Sequence, residues 1–392
     1  MALFDYGPYP LTWSRPLVVV VRSRPEVSER DQFTAALQSE GWPVALVEPS
    51  QGQWRGRILG TGTHWHGSRF LRGSEYLPMV RPSEIPKLAL SPLGVVLAGE
   101  PNLNDHVGPL ATQMGYAAVN LATHLKGQVK SPALLSSLLV AQFPLVSIIV
   151  VTHNQKELTE GCLRSVYALT DYPNWELVAV DNGSSDGTRE VLESWSKHHQ
   201  SFRLLKNSSN LGFPAACNQG ATAAEGKILC FLNNDTVVTP GWLSALVDEL
   251  QRNPQVGLVG PTSNGVANRA RAKGPYREGP EMLLWSLARS KRFFRRSAPM
   301  RTLALFCAAT WRKTWEDVGG LDEDFGLGLF EDDDFSARLR EAGYQLRCRL
   351  DAYVHHFQGS SFTTLENKDY WQLFEHNRRL FWSKLRERRR RR

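Results

Sequence analysis

The stretch CFLNNDTVV, residues 230–238, decides the fold of the larger part of this chain. It begins as an apolar run typical of a strand buried on both faces, and it ends abruptly in Asn233, Asn234 and Asp235. Three polar side chains are costly to place at the tip of a core strand unless a partner satisfies them. The stretch therefore predicts a parallel strand whose carboxyl end faces a ligand.

Similar apolar runs recur between residues 144 and 260, separated by segments of helical periodicity. The runs are PLVSIIVV (144–151), WELVAV (175–180), FRLL (202–205), KILCFL (227–232) and VGLVG (256–260). Apolar strands that alternate with amphipathic helices predict an α/β fold with a Rossmann-like, mostly parallel sheet flanked by helices. In such sheets, ligands bind beyond the carboxyl ends of the strands.

Polar residues gather where these strands end. The residues that follow the first three strands are Thr152, His153, Asn154, Asp181, Asn182, Asn210, Gly212 and Asn218. Any one of these loops alone is explained by ordinary turn chemistry. Together with the polar end of the fourth strand, they line up at one edge of the sheet and predict a nucleotide-binding crevice.

Several motifs in this order resemble the inverting glycosyltransferases of family 2, which have the GT-A fold. The motifs are VSIIVVTHN, VDNGSSDGT, NLGFPAACNQG, FLNNDTVV, VGGLDEDF, FEDDDFSARLREAGY, AYVHHFQGSS and NRRLFWSKL. They extend the resemblance over residues 144–385, and the rhamnosyltransferase and hexosyltransferase branches match alike. The resemblance implies transfer of a sugar from a nucleotide diphosphate to an acceptor hydroxyl, with inversion.

The resemblance also implies a divalent cation, Mn²⁺ or Mg²⁺, which would neutralise the charge that develops on the leaving diphosphate. Asp235 matches the metal-binding acid of the family, and Asn233 and Asn234 would face the sugar nucleotide. Many members carry two or three carboxylates here, whereas this chain has one. The resemblance implies His356 as the candidate second ligand, because the family pattern AxVxHxxGxS places its histidine there, and an imidazole would favour Mn²⁺. We expect His355 to face the other way on an extended segment.

Four adjacent acids, residues 331–334, stand at the start of a predicted helix. The helix dipole favours acids at this position and explains about two of the four. The resemblance implies that Asp332 is the general base and that Glu331 orients the acceptor, with Asp334 as a cap or support. Crowded like charges should raise one of the pKa values, which suits a base.

The nucleotide is expected to be uridine or thymidine diphosphate. By resemblance, Asp181 or Asn182 would accept the ring N3–H of a pyrimidine, and His153 stands where many members place a base-stacking tyrosine. The expected partners are thus a UDP- or dTDP-sugar donor and a saccharide or lipid-linked acceptor. The resemblance leaves the sugar open.

The chain is predicted to contain two α/β domains. Residues 1–130 form a smaller N-terminal domain of unknown role, 131–143 a linker, 144–385 the GT-A domain and 386–392 a basic tail. The N-terminal domain contains three predicted strands, PLVVVV, VALVE and LGVVLAG, and a predicted helix over residues 108–125.

Charge and cysteine content bear on location. The net charge is +7, and two basic clusters stand out, KRFFRR (291–296) and RERRRRR (386–392). These clusters could contact an anionic acceptor or lipid headgroups, with Phe293 and Phe294 inserted, or the second could be a solvated, disordered terminus. No motif indicates nucleic-acid binding. Five cysteines without a CxxC pair, and no apolar run of about 20 residues, predict a cytoplasmic protein, peripheral at most to the inner face of the membrane.

Three other functions can be weighed against transfer. A catalytically silent carbohydrate-binding or scaffold protein would explain the reduced NND motif, but Glu331, Asp332 and His356 argue against it. A sugar-1-phosphate nucleotidyltransferase should carry a Gly- and Lys/Arg-rich loop after the first strand, and VVTHNQKEL does not supply one. A processive membrane synthase should carry membrane spans and a QxxRW motif, which the sequence lacks.

Overall fold

The computed structural model describes the backbone of seven strands in the first 120 residues and most of the chain from residue 143. The described ranges are 17–21, 44–50, 53–59, 64–66, 69–71, 95–98, 119–120, 140, 143–170, 172–266, 268–277, 279–357 and 367–391. The chain divides into two compact units, of which one is Gly7–Phe143 with Asp171–Pro173 and the other is the remainder. The domain boundaries given above stay a prediction.

The first unit contains a five-stranded sheet in the order β3-β2-β1-β6-β7, and a separate hairpin of β4 and β5. The strands are β1 (Leu17–Val21), β2 (Val44–Ser50), β3 (Gln53–Leu59), β4 (His64–His66), β5 (Arg69–Leu71), β6 (Val95–Ala98) and β7 (Val119–Asn120). The three predicted strands of this unit are confirmed as β1, β2 and β6, and β1 pairs in parallel with both of the others.

The helix predicted over residues 108–125 is wrong at Val119–Asn120, because these residues form β7 and pair in parallel with β6. Pairing at the sheet edge overrides the local helical pattern there. The other residues of that predicted helix, and most of the predicted linker, lie outside the described residues.

The second unit is built on a nine-stranded sheet. Its strands are β8 (Val146–Thr152), β9 (Trp175–Asn182), β10 (Phe202–Asn207), β11 (Ile228–Asn233), β12 (Thr236–Val238), β13 (Val256–Thr262), β14 (Ser297–Met300), β15 (Cys307–Trp311) and β16 (Gln345–His356). Its helices are α1 (Lys156–Leu169), α2 (Thr188–His198), α3 (Phe213–Ala223), α4 (Trp242–Arg252), α5 (Gly279–Arg292), α6 (Arg312–Val318), α7 (Glu331–Glu341) and α8 (Asn367–Arg390).

The strand order is β10-β9-β8-β11-β15-β13-β16-β12, and β14 pairs with β16. The first four strands in this order are parallel to their neighbours, and helices connect them along the chain, so their carboxyl ends meet at one edge. β15 lies antiparallel between β11 and β13. The predicted α/β class, a mostly parallel sheet flanked by helices, is confirmed.

The core lies between this sheet and its helices. β8 and β11 are almost wholly buried, as their continuous apolar sequences predict. All five cysteines are free and buried. In the described part of the chain, no helix is both long enough and apolar enough to cross a membrane.

The interpretation of residues 386–392 as a disordered terminus needs correction. Residues 386–390 are helical and form the C-terminal end of α8. Arg388 anchors this end, because its guanidinium lies 2.8 Å from Asp334 Oδ1 and 3.0 Å from Glu341 Oε2. Two carboxylates on α7 therefore hold the basic segment in helical form.

Candidate active site

One side of the candidate site is the edge of the sheet where β11 ends. β11 ends at Asn233, and two residues later in the chain β12 begins at Thr236 and pairs antiparallel with β16, with Thr236 opposite His356. This register places the residue before β12 beside the end of β16. Asp235 Oδ1 consequently lies 3.1 Å from His356 Nε2, and only 2% of the surface of Asp235 is exposed.

His356 is fixed from three directions. The side chain of Asn264 accepts a hydrogen bond from the His356 N–H (2.8 Å) and donates one to the His356 carbonyl (3.0 Å). The imidazole stacks on Phe306, with the ring centres 4.9 Å apart. The neighbouring His355 contacts the Tyr276 hydroxyl (2.7 Å) rather than Asp235, and burial lowers the pKa of His355 to about 4.

Asp235 and His356 fit a divalent cation as a partial ligand set. Two ligands about 2.1 Å from an octahedral ion and at a right angle stand about 3.0 Å apart, close to the separation seen here. A carboxylate oxygen with an imidazole nitrogen suits Mn²⁺ at least as well as Mg²⁺. In the described part of the chain, no three acids, histidines or cysteines are arranged so as to hold a metal ion, so substrate or water would complete the coordination of a cation bound here.

The opposite side is the start of α7, which carries the acids at 331–334. The two residues before this helix, Leu329 and Phe330, have left-handed backbone angles (φ 76° and 72°), which bulky side chains rarely adopt. The Asn377 side chain, from α8, donates to the carbonyls of Phe325 (2.8 Å), Gly328 (2.7 Å) and Leu329 (3.2 Å). The strained segment is thus held from a distant helix.

In this arrangement Glu331 is buried, and Asp332 is half-buried and lines the cavity. Loss of solvation, and then the neighbouring Asp332 charge, raises the pKa of Glu331 to about 8. Loss of solvation, with the charge of Asp333, raises the pKa of Asp332 to about 7. The two carboxyls are coupled, so they release protons as a pair near neutral pH.

Asp334 lies outside this acidic pair. It is fully buried and bonds to Arg338 (2.7 Å) and Arg388 (2.8 Å), so it supports the packing of α7 against α8. This contact is the support predicted for it from the sequence.

The two sides enclose a cavity of about 540 Å³. Its lining residues are Val151, His153, Asn182, Asn210, Phe213, Asn233, Asn234, Ala304, Leu305, Phe306, Leu327, Gly328, Leu329, Phe330, Glu331, Asp332, Asp333, His356 and Phe374. Glu331 Oε2 and Asn233 Oδ1 are buried and have no hydrogen-bond partner among the described residues. Buried polar atoms are rarely left unsatisfied, and these two belong to residues that line the cavity, as expected of a binding site.

Most of the predicted site residues that do not line the cavity form hydrogen bonds that stabilise the loops around it. Asp181 is fully buried and bonds to Arg189 Nε (2.6 Å) and to the Ser184 N–H (3.1 Å). Thr152 is likewise buried and bonds to a β9 carbonyl. Asn154 accepts the Ser185 N–H (2.8 Å). The exception is Asp235, whose contact is His356.

Asn182 lines the cavity, but its amide oxygen already accepts hydrogen bonds from Asn207 Nδ2 and the Leu211 N–H, each at 3.0 Å. Its Nδ2 donates to Asn210 Oδ1 (2.9 Å). Neither Asp181 nor Asn182 therefore presents the uncommitted oxygen that was expected to read a pyrimidine ring. His153 lines the cavity, with its Nδ1 3.0 Å from the Asn182 carbonyl.

Gly212 and Asn218 contact the loop before α7 instead of the cavity. A Cβ at Gly212 would come within 2.0 Å of the Gly326 carbonyl, so the close approach that this glycine permits is to another loop. Asn218 holds the Leu321 backbone through both its amide oxygen (3.0 Å) and its amide nitrogen (2.9 Å). The sequence shows both residues but not what they touch.

Sequence reasoning missed four residues that shape the site: Asn264, Phe306, Asn377 and Phe374. Asn377 opens the NRRLFWSKL motif, and its place in a motif was the available signal. The others carry no local signal, because each acts through a residue far away in the chain.

Comparison with known proteins agrees with this geometry. Residues 147–319 match the model of Glycosyl transferase family 2. The chain carries a glycosyltransferase family 2 domain. The match covers the strands that build the sheet edge and stops before the acids of α7, which the structure places across the cavity from that edge.

Among curated proteins, this chain is 30% identical over 291 residues to the O-antigen biosynthesis protein RfbC of Myxococcus xanthus, covering 70% of this chain and 21% of RfbC. It is 34% identical over 124 residues to the glycosyltransferase AglE of Haloferax volcanii, covering 31% of this chain and 40% of AglE. The chain thus spans well under half the length of these relatives.

Among solved structures, GalNAc-T7 with UDP, GalNAc and Mn²⁺ is similar at 18% identity and a TM-score of 0.46, covering 59% of this chain and 48% of that one. At so low a score the fold assignment rests on the strand order described above.

Proposed function

We propose that the chain is an inverting, metal-assisted glycosyltransferase. It would move a sugar from a UDP- or dTDP-sugar to a hydroxyl of a saccharide or lipid-linked acceptor, in the synthesis of cell-surface polysaccharide or glycoconjugate. The observation that carries the proposal is the cavity, in which Glu331 and Asp332 line one side and Asn233 and His356 line the other. The family domain and the relatives named for O-antigen biosynthesis and for glycosyl transfer support the same reaction class.

Asp332 is assigned the role of general base. With a pKa near 7, its carboxylate is basic enough to take the acceptor hydroxyl proton and yet is largely ionised at slightly alkaline pH. The acceptor oxygen then forms a bond to the anomeric carbon from the face opposite the diphosphate. The bond between that carbon and the diphosphate breaks, and its electron pair leaves with the diphosphate oxygen.

Glu331 is assigned the role of positioning the acceptor. Its pKa near 8 keeps it protonated at neutral pH, so it can donate a hydrogen bond to a sugar oxygen while Asp332 accepts one. Two adjacent carboxyls in opposite protonation states divide the two tasks between them.

The donor side is assigned to the sheet edge. Asp235 and His356 would hold the divalent cation, and Asn233 would use its uncommitted amide oxygen on the sugar nucleotide. When bound, the cation supplies neutralisation of the charge on the leaving diphosphate. His153 and Asn210, which also line the cavity, would contact the nucleotide.

The test is a panel of UDP-, dTDP- and GDP-sugars, with Mn²⁺, Mg²⁺ or chelator, comparing wild type with Asp235→Ala. The matched control is Asp317→Ala, an acid on the surface of α6 that bonds only to Lys313 in the described contacts. We expect slow hydrolysis of one donor that chelator and Asp235→Ala abolish and Asp317→Ala does not. Donor binding without turnover under any condition would favour the silent carbohydrate-binding alternative.

A further inference from the structure

The two basic clusters of the chain have different surroundings in the fold. In the first, residues 291–296, the Phe293 ring is covered by the guanidinium groups of Arg289 and Arg292, 4.7 and 5.3 Å from the ring centre. Arg295 bonds to Asp248 (2.9 Å), and its N–H bonds to Asp351 (2.6 Å). Phe293 and Phe294 are half-buried rather than exposed. Arg295 and the two phenylalanines of this cluster are thus used in packing, whereas Lys291, Arg292 and Arg296 are exposed.

The second cluster belongs to α8, and one side of that helix is used for packing. Lys384 bonds to Asp322 and Asp324 at 2.6 Å each, Asn377 holds the strained segment, and Leu385 is buried. Together with Arg388, these contacts fix the helix against the loop before α7 and against α7 itself. The remaining side of α8 carries no such contact in the described part of the chain.

Two tryptophans stand on that remaining side. Trp371 is 59% exposed and Trp382 is 48% exposed, the two largest values among the large apolar side chains of the described residues. They are separated by about three helical turns, or about 16 Å, and so lie on one line. Arg378 falls between them and Arg389 beyond them, within about 20° of that line. We call these four residues the Trp–Arg row.

The packing residues Asn377, Lys384 and Arg388 lie about 100–140° around the helix from the row, and the buried Leu385 lies about 40° from it. Other exposed arginines continue the row around the solvent side; they are Arg379, Arg386 and Arg390. Arg378 pairs with Glu375 (2.9 Å), but both side chains are about half exposed, and a surface pair of this kind is weak enough to exchange for another anion. Arg386 donates to the Trp382 carbonyl (3.2 Å), which leaves its charge in solvent.

This combination of groups matches the chemistry of a membrane surface. Tryptophan rings settle at the boundary between headgroups and hydrocarbon, and arginines beside them attract anionic headgroups. A helix of 24 residues that is packed on one side and carries exposed tryptophan and arginine on the next fits a helix lying in the plane of that boundary.

We propose that the Trp–Arg row docks the protein on an anionic lipid surface. The helix that carries the row also supplies Phe374 to the wall of the cavity, about 60° around the helix from Trp371. Docking would therefore bring the cavity close to the lipid surface. Its consequence for the reaction, which rests on the proposed function, is that the acceptor is lipid-linked and is presented at that surface.

The test is co-sedimentation of the full chain with phosphatidylcholine vesicles that contain about 25% phosphatidylglycerol, and with pure phosphatidylcholine vesicles. We expect binding to the anionic vesicles alone, weakened by salt. Each basic residue at such a surface contributes about fivefold to binding, so Arg386→Glu with Arg389→Glu should weaken it by at least about 30-fold. The control for charge is Lys197→Glu with Lys227→Glu, two exposed lysines of the same unit.

The tryptophans are tested separately with Trp371→Ser and Trp382→Ser together, against Leu284→Ser, an exposed leucine of α5. Loss of vesicle binding in the tryptophan variant and its retention in the leucine variant would support the proposal. The proposal is overturned if the wild type does not bind anionic vesicles, or if the arginine and tryptophan variants bind them as well as their controls. It is also overturned if light scattering shows that the wild type is a dimer and the tryptophan variant a monomer. Donor hydrolysis without vesicles is measured in parallel, so failure of docking is distinguishable from failure of the proposed function.

Discussion

The two walls of the cavity are held by different means. On the sheet wall, Asp235 and His356 sit at the ends of paired strands, and a neighbouring asparagine fixes the backbone of the histidine. On the helix wall, Glu331 and Asp332 follow two residues in left-handed conformation that a side chain of α8 holds. The side proposed to hold the metal is thus organised by the sheet, whereas the side proposed to carry the base depends on α8.

Of the changes to either wall, removal of the proposed base should have the largest effect on turnover. Asp332→Asn is expected to reduce turnover by about 10²–10⁴-fold, because no group basic enough then remains to take the proton from the hydroxyl of the acceptor substrate. Donor binding should be unchanged. Asp317→Asn is the matched control, and an Asp332→Asn enzyme that retains wild-type turnover would remove Asp332 from the mechanism.

The same variant also tests the raised pKa of Asp332 through the pH dependence of stability. The pKa of Asp332 is raised from 3.8 to about 7 in the folded protein, so the folded state holds a proton that the unfolded state has lost between about pH 4 and pH 7. Stability contributed by this group is therefore lost as pH rises through that window. Asp332→Asn should accordingly unfold at a higher temperature than wild type at pH 8, with little difference at pH 4; a lower melting temperature at pH 8 would contradict the raised pKa.

On the sheet wall, His356→Ala should increase the Mn²⁺ concentration needed for half-maximal activity by about 10–100-fold, because one of two protein ligands is lost. His355→Phe is the paired control, since it keeps an aromatic ring in the packing against Tyr276 and Phe357 and removes a histidine that does not contact Asp235. Equal metal dependence in the two variants would show that His356 is not a ligand.

Loosening the helix wall should affect turnover without affecting the metal. Asn377→Ala leaves up to three carbonyls without a donor and should lower the free energy of unfolding by about 1–3 kcal/mol. We expect a roughly tenfold fall in kcat, of the order produced by a small misplacement of a catalytic group, and an unchanged Mn²⁺ requirement. The exposed Gln372→Ala on the same helix is the control, and a changed metal requirement in Asn377→Ala would mean that the walls are not independent.

The smallest expected effect is that of pH on the wild type. If ionised Asp332 is the active form, kcat should fall about fivefold between pH 7 and pH 6, because its pKa lies near 7. A rate that is level over this range at saturating donor and metal would place the base elsewhere.

The sheet wall was largely predictable from the sequence, and the helix wall was not. Apolar strands that end in polar residues are a local pattern, so Asn233 and Asp235 could be singled out from the sequence, and His356 could be named from its place in a family motif. The acids at 331 and 332 were visible as a cluster, but their strained approach and the role of Asn377 depend on contacts between distant parts of the chain. Such contacts leave no periodic signal.

Prediction also failed where a polar residue has two possible uses. Asp181 follows a core strand just as Asp235 does. The sequence analysis assigns Asp181 to the nucleotide and Asp235 to the metal. The structure pairs Asp181 with Arg189, seven residues beyond Asn182, and buries it completely. The sequence contains that arginine, but only the fold shows that it returns to neutralise the acid.

The contact between Gly212 and Gly326 has a consequence for how such a protein can change its substrates. The loop after β10 and the loop before α7 touch with no room for a side chain, and the Phe213 N–H also bonds to the Leu327 carbonyl (3.3 Å). Residues of both loops line the cavity, the first on the side proposed for the donor and the second on the side proposed for the acceptor. Neither can lengthen or acquire bulk without displacing the other, so new specificity for donor and acceptor must evolve, or be engineered, by exchanging both loops together.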